Sequence, residues 1–162
     1  MTIYVDSNYW IYWMDKRHLE HSYVTRTMRA AIREGILLNL TSLLEVAHYF
    51  RNLGEAELVA RMDKLRNLTT LTLTDLDAAT AEEALKILAK DSDKGIGGRD
   101  AVILATMHLK GVKRILTHDK AFKRLDGIRV VDPIPPNIPK PARMLPGRKT
   151  ATNLVGEANE RS

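Results

Sequence analysis

The sequence predicts an α/β fold, a three-layer α/β/α sandwich around a central, mainly parallel sheet of about five short strands. Short apolar runs rich in β-branched residues alternate along the chain with longer amphipathic segments. The strand runs are too short and too apolar to have a solvent face, which is typical of parallel strands covered by helices on both sides. Right-handed crossovers then place the carboxyl ends of the strands along one edge, where open α/β sheets bind ligands.

The first half of the chain predicts two strands and four helices. A β-branched run forms the first strand, and Asp6 and Ser7 supply helix-start chemistry directly after it. An aromatic segment and an amphipathic segment indicate two helices, and the second ends before Gly35, a residue favoured just past a helix C-terminus. After the second strand, Thr41 or Ser42 is expected to cap the next helix. The predicted ranges are strand 2–5, helices 9–14 and 19–34, strand 36–40, and helices 41–53 and 55–67.

The second half predicts three strands and three helices. Thr and Leu alternate in the third strand, and Asp75 is expected to open the helix that follows. A flexible Gly-rich loop at 91–98 separates this helix from a mostly apolar one that Gly111 ends. The predicted ranges are strand 69–73, helix 75–90, helix 99–110, strand 114–116, short helix 119–124 and strand 128–131.

The prolines divide the chain into two parts. All six lie between positions 133 and 146, and proline fits neither a helix interior nor a central strand. We therefore predict a folded domain over 1–132 and a Pro-rich, basic C-terminal tail over 133–162, with five basic and two acidic residues in the tail. A solvated extension is favoured for this tail over an RNA-contacting arm or a strap around a partner.

The composition excludes several classes of protein. The chain has 162 residues, 44% of them hydrophobic, which is enough for a sizeable core. It has no cysteine, which excludes disulfide frameworks, thiolate zinc sites and cysteine nucleophiles and fits a reducing compartment. No apolar run approaches the roughly 18 residues of a membrane span, and the N-terminus does not look like a signal peptide. We expect a soluble, cytoplasmic protein without a membrane partner, and its net charge of +5 makes a polyanionic partner plausible.

Four acidic residues are brought near one sheet edge by the predicted topology. Asp6 and Asp119 follow strands, Glu45 lies near the start of the helix after the second strand, and Asp100 lies in the first turn of the apolar helix. Singly, each has an ordinary explanation as a helix cap, a helix-dipole partner or a surface residue. Together, four converging carboxylates require a cation, and oxygen ligands without clustered His or Cys suit Mg²⁺ or Mn²⁺ better than zinc.

These residues carry a resemblance to a known family. Four segments occur in the family's order: VDSN from Val5, SLLEV around Glu45, RDAVILA around Asp100 and LTHDKAF around Asp119. Over nearly all of 1–132 the chain resembles PIN-domain proteins, above all the VapC-like toxins of type II toxin–antitoxin systems.

The resemblance implies a role for individual residues. Four acids would be catalytic and would hold one or two Mg²⁺ or Mn²⁺ ions: Asp6, Glu45, Asp100 and Asp119. Three polar residues would support that site: Ser7, Asn8 and Thr117. His118 matches no usual family position, and we expect a packing or solvent-side histidine rather than a general base.

Four basic residues close in sequence to the acids are candidates for RNA binding: Lys94, Arg99, Lys120 and Lys123. Ordinary solvated charges are an equally good explanation for each of them. The acids of the loop, Asp91 and Asp93, have the spacing of a calcium loop but lack its remaining ligands.

The function that the resemblance implies is that of a metal-dependent endoribonuclease that prefers single strands and cleaves RNA by in-line attack of water at a two-metal site. It also implies a homodimer and a cognate antitoxin protein. An RNA-processing or quality-control PIN nuclease without antitoxin, and a non-catalytic RNA-binding PIN scaffold, are the alternatives. Receiver domains and haloacid-dehalogenase phosphatases fit less well, because Ser7 and Asn8 stand where those proteins need a second acid.

Overall fold

The computed structural model describes residues 2–138 and contains one sheet of five strands in the order β3-β2-β1-β4-β5. Every pairing is parallel, and β1 lies in the middle between β2 and β4. The strands are β1 (Ile3–Val5), β2 (Ile36–Asn39), β3 (Leu71–Thr74), β4 (Arg114–Leu116) and β5 (Arg129–Val131). The predicted fold class is therefore confirmed.

Six helices flank this sheet. They are α1 (Ser7–Met14), α2 (His21–Glu34), α3 (Leu40–Phe50), α4 (Glu55–Arg66), α5 (Ala78–Asp91) and α6 (Gly98–Leu109). Short 3-10 turns cover 51–53, 92–94 and 122–124. None of the helices within residues 2–138 combines the length and the apolar character needed to cross a membrane.

The core consists of two apolar clusters, one on each face of the sheet. Successive strand residues point to opposite faces, so Ile3 and Val5 belong to one cluster and Tyr4 to the other. The first cluster packs against α1–α4 and the second against α5 and α6. In α1, Tyr9 and Trp10 are fully buried, so this part of the aromatic segment belongs to the core.

Two helices begin at caps other than the predicted ones. The N-cap of α3 is Asn39, whose side chain accepts from the Ser42 amide at 2.9 Å, so neither Thr41 nor Ser42 caps the helix. The N-cap of α5 is Asp77 rather than Asp75. All of these residue types are good caps, and the choice depends on where the preceding strand stops pairing.

The Gly-rich segment 91–98 is more structured than the sequence predicts. It contains the 3-10 turn at 92–94, and Ile96 is buried in the second core cluster. Beyond β5, Ile134 is buried and Ile138 packs against the first cluster. The division into a domain over 1–132 and a tail over 133–162 stays a prediction, and most of that tail lies outside the described residues.

Candidate active site

Asp6 is the residue that joins β1 to α1, and it lies at the carboxyl edge of the sheet. It is 3% exposed, and its carboxylate accepts hydrogen bonds at 2.7 Å each from the Ser7 amide, Asn8 Nδ2 and Thr117 Oγ1. Burial raises the pKa of Asp6, while the bonds from Thr117 and Ser7 oppose the rise. Asp6 is therefore both the N-cap of α1 and a buried carboxyl group.

Thr117 connects β4 to its neighbour β1 at this edge. It is fully buried directly after β4, and its hydroxyl donates to Asp6 while accepting from the Asp119 amide at 3.1 Å. Asn8 Nδ2 lies 3.4 Å from the same hydroxyl. The three residues expected to support the site, Ser7, Asn8 and Thr117, are thus all in contact with Asp6.

Glu45 and Asp100 come together through Arg99. Arg99 Nη1 lies 2.8 Å from Glu45 Oε1, and Arg99 Nη2 lies 3.7 Å from Asp100 Oδ1. Asp100 Oδ2 accepts from the Gly97 amide at 3.0 Å, which fixes this carboxylate in the first turn of α6. Burial alone would lower the pKa of Arg99, but the charges of Glu45, Asp100 and Asp6 outweigh it and raise that pKa. Two of the four predicted acids therefore contact one guanidinium group, and the charge of a third, Asp6, also acts on it.

Two carboxylate oxygens of this cluster have no hydrogen-bond partner. Glu45 Oε2 and Asp100 Oδ1 are both buried and accept no hydrogen bond, although Asp100 Oδ1 lies within ion-pair distance of Arg99. A buried, unsatisfied anionic oxygen is costly, and oxygens of this kind are the ligands that Mg²⁺ and Mn²⁺ prefer. The donor set therefore fits a divalent cation. As the side chains stand, however, residues 2–138 contain no group of three His, Cys, Asp or Glu side chains that could hold one ion.

Asp119, the fourth predicted acid, lies slightly apart. Its Oδ1 accepts from the Ala121 amide at 2.8 Å, so its carboxylate stabilises the turn after β4. Its backbone amide donates to Thr117, which in turn donates to Asp6. The structure thus connects Asp119 to the other acids through Thr117 rather than through Arg99.

A fifth acid, Asp132, was not predicted as a site residue. It follows β5, its side chain is 4% exposed, and it accepts from Lys123 Nζ at 2.6 Å, Tyr9 Oη at 2.8 Å and His118 Nδ1 at 3.0 Å. Burial alone would raise the pKa of Asp132, but hydrogen bonds from Lys123, Tyr9 and His118 hold it below its usual value. A signal was present in the sequence, because Asp132 follows its strand just as Asp6 follows β1.

The four predicted RNA-binding cations have different surroundings. Lys94 pairs with Asp91 at 2.7 Å, Lys123 pairs with Asp132, and Arg99 pairs with Glu45. Lys120 is exposed and, within the part of the chain that the structure describes, is in no ion pair. Lys120 is therefore the predicted cation that is most available to an anionic ligand.

Comparison with known proteins identifies the class to which this site belongs. The PIN domain family matches residues 3–128, and the chain belongs to this family. No curated protein matches the sequence.

Solved structures of low sequence identity share the fold. One is the Mycobacterium tuberculosis toxin VapC20, which cleaves the sarcin–ricin loop, with 20% identity, a TM-score of 0.63, and coverage of 78% of this chain and 98% of that one. Another is VapBC2 of Rickettsia felis bound to a promoter DNA fragment, with 16% identity, a TM-score of 0.64, and coverage of 82% and 98%. FitAcB of Neisseria gonorrhoeae has 19% identity, a TM-score of 0.64, and coverage of 81% and 97%.

Proposed function

We propose that this chain is a metal-dependent endoribonuclease that prefers single-stranded RNA and serves as the toxin of a toxin–antitoxin pair in the cytoplasm. The observation that carries the proposal is the pair of buried carboxylate oxygens without a hydrogen bond, Glu45 Oε2 and Asp100 Oδ1, on two acids that Arg99 links. Membership of the PIN family supports it.

In this proposal, four acids hold one or two Mg²⁺ or Mn²⁺ ions: Asp6, Glu45, Asp100 and Asp119. When bound, such ions lower the pKa of a water molecule and neutralise the departing 3′ oxygen of a phosphodiester. The residues of the chain orient the carboxylates for this purpose. Thr117 and Asn8 donate to Asp6, and the Gly97 amide donates to Asp100, so that both carboxylates are held in place.

Basic residues at the same edge would bind the RNA backbone. Lys120 is the first candidate, because it has no carboxylate partner among residues 2–138 and therefore loses no ion pair on binding a phosphate. The other three cations would each have to leave an ion pair with a carboxylate in order to bind a phosphate: Lys94, Arg99 and Lys123.

We also propose a cognate antitoxin and a homodimer. Support for the antitoxin comes from structures of the same fold that are toxin–antitoxin complexes, such as VapBC of Salmonella typhimurium, with 20% identity and a TM-score of 0.63. Support for a homodimer comes from the family to which the chain belongs. Light scattering on the purified protein measures the mass of the particle and tests the dimer directly.

The nuclease proposal is tested by incubating the protein with single-stranded RNA in Mg²⁺, in Mn²⁺ and in EDTA. We expect cleavage with either metal, none in EDTA, and products with 5′-phosphate and 3′-hydroxyl ends. Asp6→Asn should reduce cleavage by at least about 100-fold, because it removes a charged ligand from the metal site. Asp63→Asn, an exposed aspartate on α4, is the matched control and should keep full activity.

The alternatives give different results in the same work. Undiminished cleavage by Asp100→Asn would contradict the assignment of the acids. RNA binding without cleavage would favour a non-catalytic scaffold. Normal growth of cells that express the wild-type chain alone would favour a processing nuclease over a toxin. Rescue of arrested growth by a small protein encoded next to this one would establish the antitoxin.

A further inference from the structure

Arg99 is the cation that lies among the acids of the proposed metal site. Its guanidinium touches Glu45 and Asp100, which belong to α3 and α6, respectively. The side chain is 51% exposed, so the guanidinium is not enclosed by the two carboxylates and is partly in contact with solvent.

We infer that Arg99 is an internal counter-ion that a divalent metal must displace, and that the displaced guanidinium then binds a phosphate of the RNA. This inference rests on the proposed function, because it takes Asp6, Glu45 and Asp100 to be metal ligands.

Arg99 satisfies these acids only in part. It hydrogen-bonds one oxygen of Glu45, and its 3.7 Å separation from Asp100 Oδ1 is too long for a hydrogen bond. Glu45 Oε2 and Asp100 Oδ1 therefore remain buried without a hydrogen bond. A metal ion that bound these two oxygens would remove a cost that the guanidinium leaves in place, and this favours the exchange.

The local charge also favours the exchange. The carboxylates of Asp6, Glu45 and Asp100 with the guanidinium of Arg99 have a formal charge of −2, which repels RNA. With a divalent ion on the carboxylates and the guanidinium turned outwards, the formal charge is about zero. Metal binding thus removes the repulsion and also releases the guanidinium of Arg99, whose paired N–H donors match the geometry of a phosphate.

The experiment measures Mn²⁺ binding by calorimetry for the wild type, Arg99→Gln and the control Arg66→Gln. Arg66 is also an exposed arginine in an ion pair, with Asp63 at 3.8 Å, so its replacement removes the same charge from another helix. We expect Arg99→Gln to bind Mn²⁺ about tenfold more tightly than the wild type and Arg66→Gln to be unchanged. Arg99→Lys, which keeps the charge but loses the fork, should be intermediate.

A second measurement is of RNA affinity, which we expect to fall in Arg99→Gln while its Mn²⁺ affinity rises. At saturating Mn²⁺, the affinity for a fluorescent single-stranded 2′-O-methyl RNA of about 12 nucleotides should fall about fivefold in Arg99→Gln. Tighter metal binding together with weaker RNA binding in one variant would support the inference. If the wild type binds Mn²⁺ and Arg99→Gln binds it no more tightly, the inference about Arg99 is wrong. The proposed metal-dependent function is not affected by that result.

The two levels of the proposal fail in different ways. If neither the wild type nor Arg99→Gln binds Mn²⁺, the proposed metal-dependent function fails, and the inference fails with it. If Arg99→Gln does not fold, Arg99→Lys tests the inference instead. A Mn²⁺ affinity of Arg99→Lys equal to that of the wild type would contradict the inference that Arg99 competes with the metal.

Discussion

His118 Nδ1 lies 3.0 Å from a carboxylate oxygen of Asp132, and this contact joins the residue before Asp119 to the end of β5. Because Asp132 also accepts from Tyr9 and Lys123, one buried carboxylate connects α1, β5 and the segment after β4. This network borders the proposed active site without including any of its four acids.

We expect Asp132→Asn to lower the free energy of unfolding by about 1–3 kcal/mol, because it weakens charge-assisted hydrogen bonds to a buried acceptor. Urea denaturation measures the change. Asp93→Asn, in the exposed 3-10 turn at 92–94, should change stability by less than about 0.5 kcal/mol. Equal stability of the two variants would show that the Asp132 network does not stabilise the fold.

The acid stability of the protein should depend on Asp15. Hydrogen bonds from Arg17, and with them one from the Tyr49 hydroxyl, hold the pKa of the buried Asp15 carboxyl far below its usual range. The pKa of Asp15 is lower in the folded protein than in the unfolded chain. The Asp15 carboxylate therefore stabilises the fold above its unfolded pKa of about 4, and this stabilisation is lost as the pH falls from there towards the lower folded-state pKa. Urea denaturation at several pH values should therefore show that Asp15→Asn is less stable at neutral pH. That difference should shrink at about pH 2. A difference that does not depend on pH would contradict this explanation.

In metal-free buffer, Asp6→Asn should be as stable as the wild type or more stable. Burial raises the pKa of Asp6, so the folded protein carries this charge at a cost at neutral pH, and asparagine removes the charge. Thermal unfolding in EDTA tests this expectation. Added Mn²⁺ should raise the melting temperature of the wild type and of Asp63→Asn, but not that of Asp6→Asn. A large loss of stability in EDTA would instead show that the fold needs both oxygens of Asp6 as hydrogen-bond acceptors.

Lys120→Gln should weaken binding of single-stranded RNA and lower the slope of log affinity against log salt by about 0.7, the value for one phosphate contact. Lys113→Gln is a matched control, because Lys113 is also exposed but precedes β4 and so lies at the opposite edge of the sheet. Titrations at several salt concentrations measure both slopes. Equal slopes for the two variants would mean that RNA does not contact Lys120.

The sequence predicts most of the fold because the strands are short apolar runs that end at clear helix signals. β4 occurs at the predicted residues, and α6 is shifted by one residue at each end. The caps of α3 and α5 were predicted wrongly, since several neighbouring residues are chemically suitable and only the strand pairing selects one.

The composition of the site was harder to predict than its location. The acids lie at or near the carboxyl edge, as strand order implies, but the contact of Arg99 with Glu45 spans 54 positions and depends on how α3 and α6 pack. The sequence does not single out Asp132, because the prolines directly after it indicate the end of the folded domain at this position.

The hydrogen bond from Thr117 to Asp6 spans 111 positions of the chain. Synthesis proceeds from the N-terminus, so Asp6 is made before Arg99, Asp100 and Thr117. Asp6, at the end of β1, therefore obtains its hydrogen bond from Thr117 only after β4 has been made. A ribosome-bound chain that ends before Thr117 cannot have the assembled site.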